Sequence, residues 1–171
     1  MTTTPTIWQP SFVVNYGYTA GLQTVPQTIG LTNGNILVVW EDTSTLTGPS
    51  AGIDVVARIL DAEGNPIGVP FQLNTAVVAS DETGPKIVAL PDGGFVMAYG
   101  SYLEAVGGFI QIQRYDANGN SVFSTSIVDR SLTAWEVTAD TAGNYTVTFE
   151  LEIPIPDSSG RFSIDIHSFT Y

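Results

Sequence analysis

The sequence predicts an all-β protein built as a propeller-like array of four-stranded antiparallel blades. Two observations support this prediction. Short runs rich in β-branched and aromatic residues alternate with turns of Gly, Asn, Asp and Pro, and one group of such runs recurs along the chain. No segment shows a sustained 3.6-residue period with helix caps, so we expect almost no helix. A β-sandwich is the alternative fold.

Two hairpins carry the repeat. The first reads LTNGNILVVWE from residue 31, LPDGGFVMAYG from residue 90 and DTAGNYTVTFE from residue 140, so its copies start 59 and 50 residues apart. The second reads VVARILDAEGNPIGVPFQLN from residue 55 and QIQRYDANGNSVFSTSIV from residue 111. A period of about 50 residues with four short strands per unit is typical of propeller blades. Trp40, Tyr99 and Phe149 occupy equivalent positions, so we expect them to pack between blades.

The repeat predicts a single domain over 1–171, with units at approximately 24–74, 85–128 and 134–169. The third unit lacks a fourth strand. Residues 5–15 resemble the fourth strand of the first unit, so we expect this N-terminal strand to complete the last blade. Three blades are too few for a ring of ordinary size, because propellers have about four to eight. A head-to-tail homodimer of six blades is the simplest closed assembly.

The composition excludes several classes of function. Acidic residues number 17 against 5 Lys and Arg, and the resulting net charge of −12 repels nucleic-acid phosphates. Cysteine is absent, which excludes disulfides and thiolate metal sites. The apolar runs are strand-sized, so no membrane insertion is expected. The N-terminus shows neither the basic nor the apolar region of a conventional signal peptide.

The stretches PKIVALPDGGFVMAY at 85–99 and IQIQRYDANGNSV at 110–122 resemble repeats in large secreted proteins of bacteria. These are calcium-dependent, adhesin-type repeat proteins whose units pair an LxDGGFVVxW hairpin with a QRYDANGxxVG hairpin. The resemblance implies a propeller-like array, an extracellular location reached without a cleaved N-terminal signal, and Ca²⁺ as a ligand. The glycine-rich nonapeptides that bind calcium in such proteins are absent from this chain.

The loops that join successive hairpins are long and irregular, and they are expected to share one face of the array. Binding residues commonly lie on such loops. Ca²⁺ takes about six to eight oxygen ligands, so paired carboxylates there are candidate metal ligands, with a solvated acidic rim as the alternative. The candidate metal ligands are Glu41, Asp42, Asp81 and Glu82. Sugar rings stack on exposed aromatic side chains, and the candidate ligand-binding residues are Tyr16, Tyr18, Tyr102, Glu104 and Asp157.

The stretch DANGN at 116–120 looks like the start of a calcium loop. An EF-hand loop needs about twelve residues and a closing Glu, whereas this stretch runs from one strand directly into the next. DAEGN at 61–65 keeps the Asp and the Gly and changes the residue before the Gly. We interpret both stretches as hairpin turns in which Asp caps the turn and Gly adopts a positive φ.

Catalysis has little support in the sequence. The sole histidine, His167, lies in a predicted strand, and no G-x-S-x-G motif is present. The sequence therefore favours a non-enzymatic, secreted binding or assembly module that oligomerises through its blade edges. A lectin-like propeller that binds a glycan or a cell-surface ligand is the first alternative. A glycosidase-like enzyme with two carboxylates is the second.

Overall fold

The computed structural model describes residues 10–44, 52–75, 81–103, 107–128, 132–154 and 162–171. The strands in these ranges are β1 (Gln23–Gly30), β2 (Ile36–Asp42), β3 (Asp54–Leu60), β4 (Pro66–Gln72), β5 (Asp81–Ala89), β6 (Phe95–Leu103), β7 (Gly107–Tyr115), β8 (Ser121–Val128), β9 (Leu132–Ala139), β10 (Tyr145–Pro154) and β11 (Phe162–Thr170). Within the described ranges no helix has the length and apolarity needed to cross a membrane.

The strands form three antiparallel sheets, each a meander in chain order. Strands β1–β4 form blade one, β5–β8 form blade two, and β9–β11 form blade three. The first strands of the blades lie closest to one another, since β1 contacts β5 and β5 contacts β9. This radial arrangement of two four-stranded sheets and one three-stranded sheet confirms the predicted all-β, propeller-like fold, and the β-sandwich alternative is not observed in the described residues.

Two apolar cores hold the blades together, one in each crevice between neighbouring blades. Core one lies between blades one and two and joins Val39 of β2 to Tyr99 of β6. Core two lies between blades two and three and joins Ala98 of β6 to Phe149 of β10. Because successive residues of a strand point to opposite faces, Ala98 and Tyr99 belong to different cores. Blade two is therefore covered on both faces.

The N-terminal segment covers the face of blade one that points away from blade two. Trp40 is buried on this face beside Val14, and the Arg58 guanidinium donates a hydrogen bond of 2.6 Å to the Val14 carbonyl. Of the three equivalent aromatic residues, Tyr99 and Phe149 thus pack between blades, as predicted. Trp40 instead packs against this segment.

The closing strand predicted at 5–15 is wrong for residues 10–15, and residues 5–9 lie outside the described ranges. Residues 10–15 form no strand. They lead into a turn in which the Tyr18 amide donates to the Asn15 carbonyl, and Gly17 has φ +83°. This turn directs the chain along blade one, so residues 10–15 do not pair with blade three.

The outer face of blade three, which points away from core two, carries threonines on β9 and β10. Thr138, Thr146 and Thr148 lie on it, and the hydroxyls of Thr146 and Thr170 are 2.9 Å apart. Equivalent positions in the other blades are apolar, since Thr148 corresponds to Val39 and Ala98. Blade three therefore differs from blades one and two on this face.

A bulge interrupts the first strand of blades one and two. The pairing register shifts between Thr24 and Gln27 in β1 and between Thr83 and Lys86 in β5. Each bulge contains a residue with positive φ followed by proline, namely Val25 at +49° and Gly84 at +60°. Beyond the bulge, β1 and β5 continue to pair, so both strands begin several residues earlier than the sequence pattern predicts.

The Asp-x-x-Gly-Asn turns have the architectural role predicted from the sequence. In the 116–120 turn, the Asp116 carboxylate accepts hydrogen bonds of 2.9 Å from the amides of Asn118 and Asn120 and one of 2.8 Å from the Asn120 side chain. Gly119 has φ +86°. The same bonds recur around Asp61 and Asp140. Each carboxylate is thereby used within its own turn.

Candidate active site

The four predicted metal ligands lie at the ends of strands in blades one and two, and each accepts hydrogen bonds within the fold. The Glu41 carboxylate accepts the Gly84 amide of blade two at 2.8 Å and the Thr24 hydroxyl at 3.1 Å. The Asp42 carboxylate is buried and accepts the Trp40 indole N–H at 3.0 Å and the Ser44 amide at 2.6 Å. Both carboxylates therefore stabilise the ends of their own strands.

Asp81 and Glu82 join blade two to blade one. Asp81 accepts the Ile53 amide at 3.0 Å, and the buried Glu82 accepts the Asn74 side-chain amide at 2.7 Å. Asn74 also donates to buried Asp54 at 2.9 Å. Among the described residues, no group of three or more His, Asp or Glu side chains is arranged to hold a metal ion. The Ca²⁺ site stays a prediction, because the described residues contain no cluster of candidate metal ligands.

The predicted ligand-binding residues lie on separate elements. Tyr16 is 78% exposed and Tyr18 is half-buried, both in the segment that packs on blade one. Tyr102 is 59% exposed near the end of β6 in blade two. Glu104 and Asp157 lie outside the described ranges. Tyr102 borders a cavity that Trp135 also lines.

A cleft of about 350 Å³ opens at the inner edge of blade three. Its wall on the side of blade two is Lys86, whose ammonium lies 3.3 Å from the Glu136 carboxylate of β9. Glu150 and Thr148 of β10 lie on the same face of the sheet as Glu136, since Thr148 pairs directly with Glu136. Binding cavities for small molecules typically measure about 300–1,000 Å³, so this volume suits one or two sugar rings.

The two carboxylates of this cleft are diagonal neighbours on paired strands. Glu136 pairs with Thr148, and Glu150 lies two residues further along β10. Diagonal neighbours in an antiparallel pair have Cα atoms about 7–8 Å apart. Inverting glycoside hydrolases hold their two carboxyl groups about 6.5–9.5 Å apart, with room for a water molecule between them and the sugar. The register of β9 and β10 thus places the two glutamates as diagonal neighbours on the outer face of blade three, the face that also carries Thr148.

Trp135 forms the aromatic part of the cleft and is held rigidly. Its indole N–H donates to the Gly84 carbonyl at 3.0 Å. Its ring covers Gly84 and Gly100, where an added Cβ would come within 2.8 Å and 2.6 Å of ring atoms. A glycine at each position is what allows the indole to lie flat against blade two. The indole thus lines the cleft from the face of blade three that points to blade two, whereas Glu136 and Glu150 lie on the opposite face.

A second cavity of about 180 Å³ shares Trp135 with the cleft. It lies towards the ends of β5 and β6, where Asp81 and exposed Tyr102 border it. The indole therefore separates two adjoining cavities, one with the carboxylate pair and one with the tyrosine predicted to bind a ligand.

The sequence reasoning missed Glu136, Glu150 and Lys86. A signal was present in the alignment of the repeats, because Glu150 corresponds to Gly100 and Thr148 to Ala98 in the second unit. Polar residues at positions that are apolar in a sister repeat mark either an uncovered face or a site. The prediction instead followed the long loops, although these carboxylates lie within strands.

The fold and the cleft together define a class of propeller in which a carboxylate pair lies near the inner strands. No family model matches the sequence, and no curated protein matches it. Two solved structures share the architecture. An endo-arabinase from Bacteroides thetaiotaomicron has a TM-score of 0.50 and 16% identity, over 82% of this chain and 54% of that one. A thermostable family-43 glycoside hydrolase has a TM-score of 0.52 and 11% identity, over 82% of this chain and 52% of that one.

These matches support the propeller-like fold and bear on the predicted function. The chain spans about half the length of the two solved structures. The prediction of a non-enzymatic binding and assembly module is contradicted, because the solved structures that share this architecture are hydrolytic enzymes. The second alternative, a glycosidase-like enzyme, was ranked last from the sequence.

Proposed function

We propose that the chain is a carbohydrate-active propeller that hydrolyses glycosidic bonds in the cleft at the inner edge of blade three. The observation that carries the proposal is the pair of glutamates, Glu136 and Glu150, on one face of paired strands in a cleft that Trp135 also lines. The likeness to two glycoside hydrolases supports the same reaction class. A net charge of −12 favours neutral over anionic glycans.

The reaction requires one carboxyl group to protonate the glycosidic oxygen and the other to take a proton from the attacking water. Glu136 bears the ion pair with Lys86, which fixes its carboxylate at the side of the cleft nearest blade two. Glu150 lies at the opposite end of the diagonal, beside Phe149 and Trp135. We assign these two roles to Glu136 and Glu150, one role to each.

The test is release of reducing ends from a panel of 4-nitrophenyl glycosides and neutral polysaccharides. Wild-type protein is expected to turn over at least one substrate. Glu136→Gln and Glu150→Gln are each expected to lower the rate about 100-fold or more, the usual contribution of general acid–base catalysis. Glu63→Gln changes an exposed glutamate in a hairpin turn and serves as the matched control. No turnover by wild type, or full turnover by both cleft variants, would overturn the proposal.

The extracellular location and the kinship with adhesin-type repeat proteins belong to this proposal too. They are supported by the repeated LxDGG and DANGN hairpins of the sequence. A polysaccharide hydrolase meets its substrate outside the cell, so the two parts of the proposal agree. Detection of the protein in the culture medium of its source, with an intact N-terminus, is the corresponding measurement.

A further inference from the structure

A groove of about 690 Å³ lies between blades two and three at the end that carries the tight turns, away from the long loops. Arg114 of β7 and Phe123 of β8 lie opposite each other on the face of blade two that points to blade three. Tyr171 follows β11 and pairs by backbone hydrogen bonds with Tyr145 on blade three. The groove is thus a crevice between two blades and is separate from the glutamate cleft.

The equivalent crevice between blades one and two is filled. Ile59 is buried there at the position of Arg114, and the ring of Phe71 lies directly over Gly119 in the 116–120 turn. Between blades two and three, Arg114 takes the position of Ile59 and pairs with Asp92, and the rings of Phe123 and Tyr171 meet across the crevice. This crevice therefore holds a charged pair at a position that is apolar in blade one.

The side chains of the groove combine an aromatic wall with a charged pair. Tyr145 and Tyr171 stack with ring centroids 5.3 Å apart, and Phe123 lies against Tyr171 at 6.4 Å. Phe123 and Tyr171 are 44% and 42% exposed. The Arg114 guanidinium pairs with the Asp92 carboxylate at 2.5 Å on the other side of the groove.

We infer that this groove binds a neutral sugar residue of a polysaccharide as an accessory site that holds the substrate on the enzyme. The apolar face of a sugar ring stacks on aromatic side chains, while its hydroxyls hydrogen-bond to charged and amide groups. The ion pair supplies a donor and an acceptor together and leaves no net charge, which suits a neutral hydroxylated ligand. The inference rests on the proposed function for its ligand class, but it concerns other residues.

The experiment measures retardation in native gels that contain soluble arabinan, xylan or glucan, using the Glu136→Gln protein as background. The Glu136→Gln protein is expected to cleave the polysaccharide only slowly, so retardation in the gel reports binding separately from turnover. Phe123→Ala and Tyr171→Ala are each expected to weaken retardation about tenfold, as loss of a central aromatic contact does. Tyr171→Phe keeps the ring and is expected to bind as the background does. Phe12→Ala removes an equally exposed ring, at 43%, in the N-terminal segment and serves as the control.

Three outcomes overturn the inference. Retardation by none of the polysaccharides does so, as does retardation that Phe123→Ala and Tyr171→Ala leave unchanged. A solution mass of two chains that falls to one chain in these two variants would assign the groove to contact between copies instead. Gel retardation in the Glu136→Gln background reports on the groove, and turnover of 4-nitrophenyl glycosides by wild-type protein reports on the cleft, so failure of the groove and failure of the proposed cleft are distinguishable.

Discussion

At the scale of single residues, Val25 and Gly84 show how equivalent positions of a repeat can differ in strain. Both lie in the bulge of a first strand, and both have positive φ. This region is sterically unfavourable for a β-branched side chain and unrestricted for glycine. Gly84 has a second reason to be glycine, because Trp135 lies against it. Val25 meets no such demand and carries backbone strain.

Val25→Gly is therefore expected to raise the free energy of unfolding by about 1 kcal/mol, because relief of strain worth about 1–3 kcal/mol exceeds the flexibility that glycine adds to the unfolded chain. Gly84→Ala is expected to lower the free energy of unfolding by more than Val25→Gly raises it, since the added methyl group meets the Trp135 indole. Denaturant titration of both variants measures the difference. A destabilised Val25→Gly protein would contradict the account of strain.

At the scale of elements, the hairpin turns were predictable from the sequence and the glutamate cleft was not. Asp, Gly and Asn at fixed spacing specify a turn through local bonds, so residues 61–65 and 116–120 could be assigned without tertiary information. Glu136 and Glu150 become neighbours only through the register of β9 and β10. Register depends on which faces are buried, and a single repeat unit does not reveal that. The same reason explains why residues 10–15 were mistaken for a strand.

The turns also predict how stability depends on pH. Hydrogen bonds from the paired asparagine side chain lower the pKa of Asp61, Asp116 and Asp140 below their ordinary value of 3.8. A lowered folded-state pKa contributes stability that is present above pH 3.8 and is lost as the pH falls through the lowered values. A triple variant, Asn65→Ala, Asn120→Ala and Asn144→Ala, is expected to be less stable than wild type near neutral pH, with a difference that shrinks in acid.

Thermal melts at about pH 7 and about pH 2.5 compare the two conditions. Asn33→Ala is the matched control, because Asn33 caps the corresponding turn of blade one with an amide oxygen that does not titrate in this range. The loss of stability caused by Asn33→Ala is expected to be similar at both pH values. A triple variant whose deficit is the same in acid as at neutral pH would show that the carboxylates are not responsible.

At the scale of the whole molecule, the apolar surfaces are distributed unevenly over the array. Blade two is covered on both faces, blade one is covered by blade two and by the N-terminal segment, and blade three carries threonines on its outer face. Repeats alone predicted the number of units, since the hairpin motif recurs three times. They did not predict which faces meet, although the third copy carries Thr148 where the second has Ala98.

The six-bladed homodimer stays a prediction. The contact between the two chains would have to rely on backbone pairing along the edge of β11. The threonines on the outer face of blade three offer little apolar surface to bury. Light scattering at micromolar concentration is expected to give twice the chain mass of 18.2 kDa. A mass of one chain that persists as the concentration rises would contradict the dimer.

The threonine-bearing outer face of blade three has one more consequence, which concerns how such a gene can lengthen. A duplicated copy of unit two could be inserted beside the original, because its two apolar faces would meet the same kinds of surface that they meet now. A copy placed after unit three would set an apolar face against threonines and bury hydroxyls at a cost in free energy. Duplication is therefore tolerated in the interior of the array and opposed beyond blade three.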